Sequence, residues 1–116
     1  MKTLLPGFPV PGSRSGRPIM VLFNLLGRRT ALRVLWELSR AQMKFRPLQA
    51  AAETSPSVLN VRLAELRSAG LVELGAEGYR LSERGRTLVA HLMPLVSWSE
   101  EWAANIKAET PGDPPA

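Results

Sequence analysis

The sequence predicts a mainly α-helical fold carrying one small β-hairpin. Apolar residues recur at helical spacing over most of residues 18–107. Residues 54–70 bracket a helix at both ends, with Ser55 as N-cap, Pro56 at the first helical position and Gly70 just past the last turn. Two short runs, 71–74 and 79–81, flank Gly75-Ala76-Glu77-Gly78, which reads as a hairpin with a four-residue loop. At 116 residues the chain is long enough to bury one core but not two, so one domain is expected.

Residues 1–17 are rich in Pro, Gly and Ser and are expected as a flexible N-terminal arm, and residues 108–116 as a disordered C-terminal tail. Pro18 opens a first helix reaching Leu26, with Gly27 ending it. It is apolar on nearly every side, through Ile19, Met20, Val21, Leu22, Phe23, Leu25 and Leu26. One core does not cover a helix from all directions, so a second surface must bury the remainder. A second helix, 29–39, carries Leu32, Leu35, Trp36 and Leu38 with Val34 beside them, and Arg29, Arg33 and Arg40 off that stripe.

Residues 43–45 are expected as a short strand, after which Pro47 and Leu48 open a third helix running to about Glu53. On the Ser55-capped helix Leu59, Leu63 and Leu66 face inward, and Ser57, Asn60, Val61, Ala64 and Ser68 form the opposite stripe. Glu73 and Arg80 stand across from each other on the outer face of the hairpin. Ser82 caps a last helical region, 83–107, which Pro94 interrupts by removing a backbone donor. Leu88, Leu92, Leu95, Trp98, Trp102 and Ile106 make a long apolar stripe there.

This order of elements is that of a winged helix-turn-helix with additional N- and C-terminal helices. The third and fourth helices are the helix-turn-helix pair, and the hairpin is the wing. The charge distribution bears on what such a fold meets. The formal net charge is +5; residues 14–46 hold eight basic residues against Glu37 alone, whereas residues 47–98 balance and residues 99–116 are acidic. A basic stretch of this kind suggests a polyanion partner, the other reading being an arginine-rich solvated surface.

Several function classes are excluded. Without cysteine there is no disulfide, thiolate metal site or thiol nucleophile, and the one histidine, His91, supplies no metal cluster. His91 sits in an apolar helical stretch with no nucleophile nearby and reads as a core or interface residue rather than a base. No glycine-rich loop precedes Lys-Ser/Thr, so no nucleotide cofactor is implied, and an enzyme is not expected. The longest apolar run, 19–26 and interrupted by Asn24, is far short of a membrane span, and Pro6, Gly7, Pro9, Pro11 and Gly12 break any signal-peptide core, so a cytoplasmic location is expected.

Residues 55–72, from Ser55-Pro56-Ser57-Val58-Leu59-Asn60 to Gly70-Leu71-Val72, resemble the recognition helix of the HxlR-type winged-helix regulators, MarR-like bacterial transcription factors. Phe45 with Leu48 matches the Arg-Phe-x-x-Leu element of that family, with Lys44 in place of Arg. Tyr79-Arg80-Leu81-Ser82-Glu83-Arg84-Gly85 is similar to its Tyr-x-Leu-Thr-x-x-Gly segment, and Trp98 falls where the family places a tryptophan. The sequence departs from the family in lacking its N-terminal cysteine, in reading Gly27-Arg28-Arg29-Thr30 for the usual Gly-Gly-Lys-Trp, and in having a wing without the longer proline-containing stretch.

The leading expectation is a homodimeric, sequence-specific regulator of transcription that binds double-stranded DNA. Ser57, Asn60, Val61 and Ala64 are the candidate base contacts, Asn60 being able to pair bidentately with adenine. Arg28, Arg29, Lys44, Arg46, Arg62 and Arg67 are candidate phosphate contacts. Arg80 is a seventh, with pairing to Glu73 as its alternative. Trp98 and Trp102, four residues apart, fit a helix–helix interface better than a ligand pocket or a base-stacking platform. No motif identifies a small-molecule effector. A winged helix used only as a protein-interaction or assembly module is the competing class, and it leaves the basic stretch without a purpose.

The dimer follows from surplus apolar surface. The winged-helix core needs one face of the first helix and one of the last, leaving more exposed apolar area than a monomer carries. Ile19, Leu22, Phe23, Leu26, Leu95, Trp98, Trp102 and Ile106 are therefore expected at a two-fold interface. Such an interface holds two recognition helices about one DNA turn apart, roughly 34 Å.

Overall fold

Pro18 supplies the first residue of α1 (Pro18–Leu26), where a missing N–H leaves no bond unmade. The computed structural model describes residues 17–109; the expected N-terminal arm up to Gly16 and the expected tail from Thr110 onward lie outside the described residues. After α1 come α2 (Arg29–Arg40), α3 (Phe45–Ala52), α4 (Pro56–Ser68), the hairpin β1 (Val72–Gly75) and β2 (Gly78–Leu81), then α5 (Glu83–Leu92) and α6 (Pro94–Glu109).

The core is assembled around α2, which packs on α1, α3, α4, α5 and β2. Ala31, Val34, Leu35 and Leu38 of α2 meet Leu48 of α3 and Leu59, Leu63 and Leu66 of α4 there, all buried. Val21 and Leu25 close the core from α1, Val72 and Leu81 from the hairpin, and Val89 from α5. Leu32 and Trp36 differ from the sequence expectation: they are exposed, because the face of α2 they occupy points past the core toward α1 and α6.

Local capping chemistry sets the element ends around the helix-turn-helix. Ser55 Oγ accepts from Val58 N–H at 3.2 Å, closing the N-terminus of α4. At the other end Leu71 N–H reaches the Leu66 carbonyl at 2.9 Å, with Gly70 at a φ of +75° that a side chain rarely adopts. Helix α3 starts at Phe45, two residues before the expected opening at Pro47. Proline is tolerated in the first turn because its nitrogen has no helical partner there. The helix ends at Ala52, and Glu53 takes a left-handed conformation, φ 53° and ψ 51°, to turn the chain into α4.

The expected strand at 43–45 shrinks to one bridging residue, since Phe45 and Lys44 are committed to the start of α3. Met43 exchanges two hydrogen bonds with Tyr79, at 3.0 and 2.7 Å, and so anchors the hairpin to the α2–α3 junction. Gly78, at φ +118°, is what permits this approach: a Cβ there would lie 2.5 Å from the Met43 carbonyl. Pairing runs from Val72↔Leu81 to Gly75↔Gly78, so the loop is Ala76-Glu77 rather than four residues.

The last helical region is interrupted at Met93, next to Pro94, as the proline dictates. Helix α6 runs to Glu109, two residues past the expected boundary, because Ala108 and Glu109 are ordinary helix formers and the sequence meets no proline before residue 111. It packs on α5 and buries none of its residues. No described helix is long and apolar enough to cross a membrane.

Candidate nucleic-acid interface

Helix α4 is held by its inner face alone. Leu59, Leu63 and Leu66 are buried, leaving Ser57, Asn60 and Val61 open to solvent on the outer side. Ala64 is only half-buried and borders a shallow groove shared with Arg67 and Ser68 of α4 and Val72, Glu73 and Leu74 of the hairpin. The four candidate base-reading positions therefore lie on one helix, three fully displayed and the fourth beside the wing.

Val58 is a residue the sequence reading missed. It is exposed, and with Arg29, Thr30 and Thr54 it lines a second groove between the start of α2 and the α3–α4 turn. Its i, i+3 relation to Val61 was the available signal: two valines on the polar side of a helix are out of place in a core-facing pattern.

The basic candidates separate into two groups. Arg29, Lys44, Arg46 and Arg67 are exposed and form no ion pair with a described residue. Arg28 and Arg62 instead converge on Glu65 of α4, which is buried. Arg62 Nη1 donates to Glu65 Oε1, and Arg28 Nε lies 3.7 Å from Oε2. Arg33, off the α2 stripe as expected, binds Glu37 at 2.9 Å and the Ala51 carbonyl at 2.8 Å, so its role is to tie α2 to the end of α3. On the wing Arg80 Nε lies 3.7 Å from Glu73 Oε1, directly across the strand pair. Both residues are half exposed, so this contact is a weak surface pair and leaves Arg80 able to reorient.

His91 is exposed near the end of α5, outside the protomer core expected as one of its two settings. Among the described residues no group of three or more His, Asp or Glu is placed to hold a metal ion.

The expected interface residues stand mostly outside the protomer core. Ile19, Phe23, Leu95, Trp98, Trp102 and Ile106 are each about half exposed, whereas Leu22 and Leu26 are partly buried and Leu26 packs on the protomer's own core. Trp98 and Trp102 stack with ring centroids 5.8 Å apart and planes 21° from parallel. Beside them an apolar groove of about 590 Å³ runs between α1, α2, α5 and α6, lined by Phe23, Leu32, Trp36, Val89, Leu95 and Val96 among others.

A capped helix held by one face in a helix-turn-helix, with a hairpin alongside and unpaired cations around it, defines a DNA-binding transcription regulator of the winged helix-turn-helix class. Within that class the chain belongs to the HxlR-like helix-turn-helix family, whose model matches residues 25–107. The fold is similar to that of quinone-bound YodB from B. subtilis, at 26% identity and a TM-score of 0.67, covering 72% of this chain and 96% of that one. It is also similar to a putative transcriptional regulator of the MarR family from Enterococcus faecalis V583, at 24% identity and a TM-score of 0.68, covering 89% of this chain and all of that one. No curated protein matches the chain significantly.

Proposed function

We propose that the chain is a cytoplasmic, homodimeric, sequence-specific regulator that sets α4 into the major groove of a palindromic DNA site. The observation that carries the reading is the outer face of α4, where Ser57, Asn60 and Val61 are displayed while the opposite face is buried. Asn60 reads adenine, Val61 supplies apolar contact for a thymine methyl, and Ser57 serves either base. Arg29, Lys44, Arg46 and Arg67 supply sequence-independent attraction to phosphates.

Two copies associate through α1 and α6. The support is the row of half-exposed Phe23, Leu95, Trp98, Trp102 and Ile106 and the apolar groove between α1, α2, α5 and α6, the kind of exposed apolar surface that marks an interaction site. Selection of bound duplexes from a random pool tests the function. Recovery of an inverted repeat with half-sites about one helical turn apart, roughly 10 base pairs, is expected. Recovery of no common sequence, with retention on DNA and heparin alike, would return the fold to the assembly-module class.

A further inference from the structure

Glu65 receives two arginines from different parts of the fold. Arg62 reaches it from one turn earlier on α4, and Arg28 from the α1–α2 junction, each addressing a different carboxylate oxygen. The Arg28 Nε is buried and makes no hydrogen bond, so the carboxylate 3.7 Å away is what compensates its burial. Arg28 is also the N-cap of α2, where the positive end of the helix dipole disfavours a cation, and Glu65 offsets that as well. Arg28 belongs to the Gly27-Arg28-Arg29-Thr30 stretch in which the sequence departs from its family, so this link is built from the chain's own residues.

We infer that Glu65 is a positioning residue for DNA recognition: through Arg28 it fixes α4 against the α1–α2 junction, and it withholds Arg28 and Arg62 from phosphate. The inference rests on the DNA-binding reading above and reassigns two of the expected phosphate contacts. Its physical basis is the direction of the two side chains. Two arginines on one buried carboxylate leave the cluster a single net positive charge, and a guanidinium drawn inward to that carboxylate is not placed to neutralise a phosphate. What it contributes is the setting of α4, on which base contacts depend and phosphate contacts scarcely do.

The test compares Arg28→Gln, Glu65→Gln and the wild-type chain on the selected palindrome and on random duplex over a salt series, with thermal unfolding as the control for folding. For Arg28→Gln, affinity for the palindrome is expected to fall about tenfold while affinity for random duplex and the salt slope stay at wild-type values. For Glu65→Gln the palindrome is again bound more weakly. Random duplex is bound more tightly, with a salt slope steeper by up to about 0.9 for each arginine released. An Arg28→Gln chain that loses affinity equally on both duplexes with a shallower slope makes Arg28 a phosphate contact and overturns the inference. So does one that binds both as the wild type does. A wild-type chain with no preference between the duplexes overturns the DNA-recognition reading itself, a distinct result.

Discussion

The Ser82 hydroxyl donates to the Gly70 carbonyl at 2.6 Å, linking the turn after α4 to the exit of the hairpin. The same oxygen accepts from Gly85 N–H at 3.0 Å, as the N-cap of α5. One side chain thus satisfies the Gly70 carbonyl, in the turn just past α4, and a donor left open at the start of α5. Ser82→Ala is expected to lower stability by about 1–2 kcal/mol, a cap plus an unsatisfied carbonyl. Urea unfolding followed by circular dichroism measures it, and a loss below a few tenths of a kcal/mol would remove the link from any structural role.

Glu53 occupies the left-handed region at the centre of the helix-turn-helix, a conformation costing a non-glycine residue about 1–2 kcal/mol. Glu53→Gly relieves that cost but widens the unfolded ensemble, so the net gain is expected to be about 0.5–1 kcal/mol. The melting temperature should rise by a few degrees with the fold unchanged. A lower one would mean that the carboxylate makes a contact more valuable than the strain.

The base-reading and phosphate roles separate in a second pair of variants. Asn60→Ala is expected to cost about 1–3 kcal/mol on the preferred site and little on random duplex. Arg67→Ala, at the exposed last turn of α4, should weaken both alike and flatten the salt slope by about 0.9 per subunit. Anisotropy titrations at several salt concentrations read both quantities. Equal losses on the two duplexes for Asn60→Ala would end its assignment as a base contact.

What the sequence made legible is local chemistry. The caps at Ser55, Gly70 and Ser82, the break at Pro94 and the opposition of Glu73 and Arg80 each depend on neighbours within a few residues or across one hairpin. What it hid depends on tertiary neighbours. A helical wheel puts Leu32 and Trp36 on the same apolar stripe as Leu35, yet only the packing of α3, α4 and β2 decides which of them is covered. Arg28 reads as a phosphate contact, and Glu65 carries no assigned role, until α4 and the α1–α2 junction bring them together. The outer face of α4 was legible because the positions of Leu59, Leu63 and Leu66 determine it by exclusion. The engagement of Arg28 and Arg62 was not, because a long side chain reaches several Å in either direction.

The proposed dimer gives the last prediction. Phe23 on α1 and Trp102 on α6 are 58% and 56% exposed in the protomer, values at odds with their cost in water. Covering a large aromatic side chain recovers about 25 cal/mol for each Å² removed from water, or a few kcal/mol per residue before association costs. Helix α6 packs on α5 but has no buried residue of its own, so a partner surface is expected to add to its stability. Placing a charge at either position removes that gain and leaves an ion to be desolvated at a hydrophobic contact. Phe23→Glu and Trp102→Glu are therefore expected to give monomers in sedimentation at micromolar concentration, with the winged-helix core intact by circular dichroism. Each monomer retains its α4 face but loses the fixed spacing between two of them. Affinity for the palindrome should then collapse toward that for a single half-site, while random duplex is bound nearly as before. A wild-type chain that sediments as a monomer would overturn the dimer, and a Trp102→Glu chain that sediments as a dimer would move the interface elsewhere.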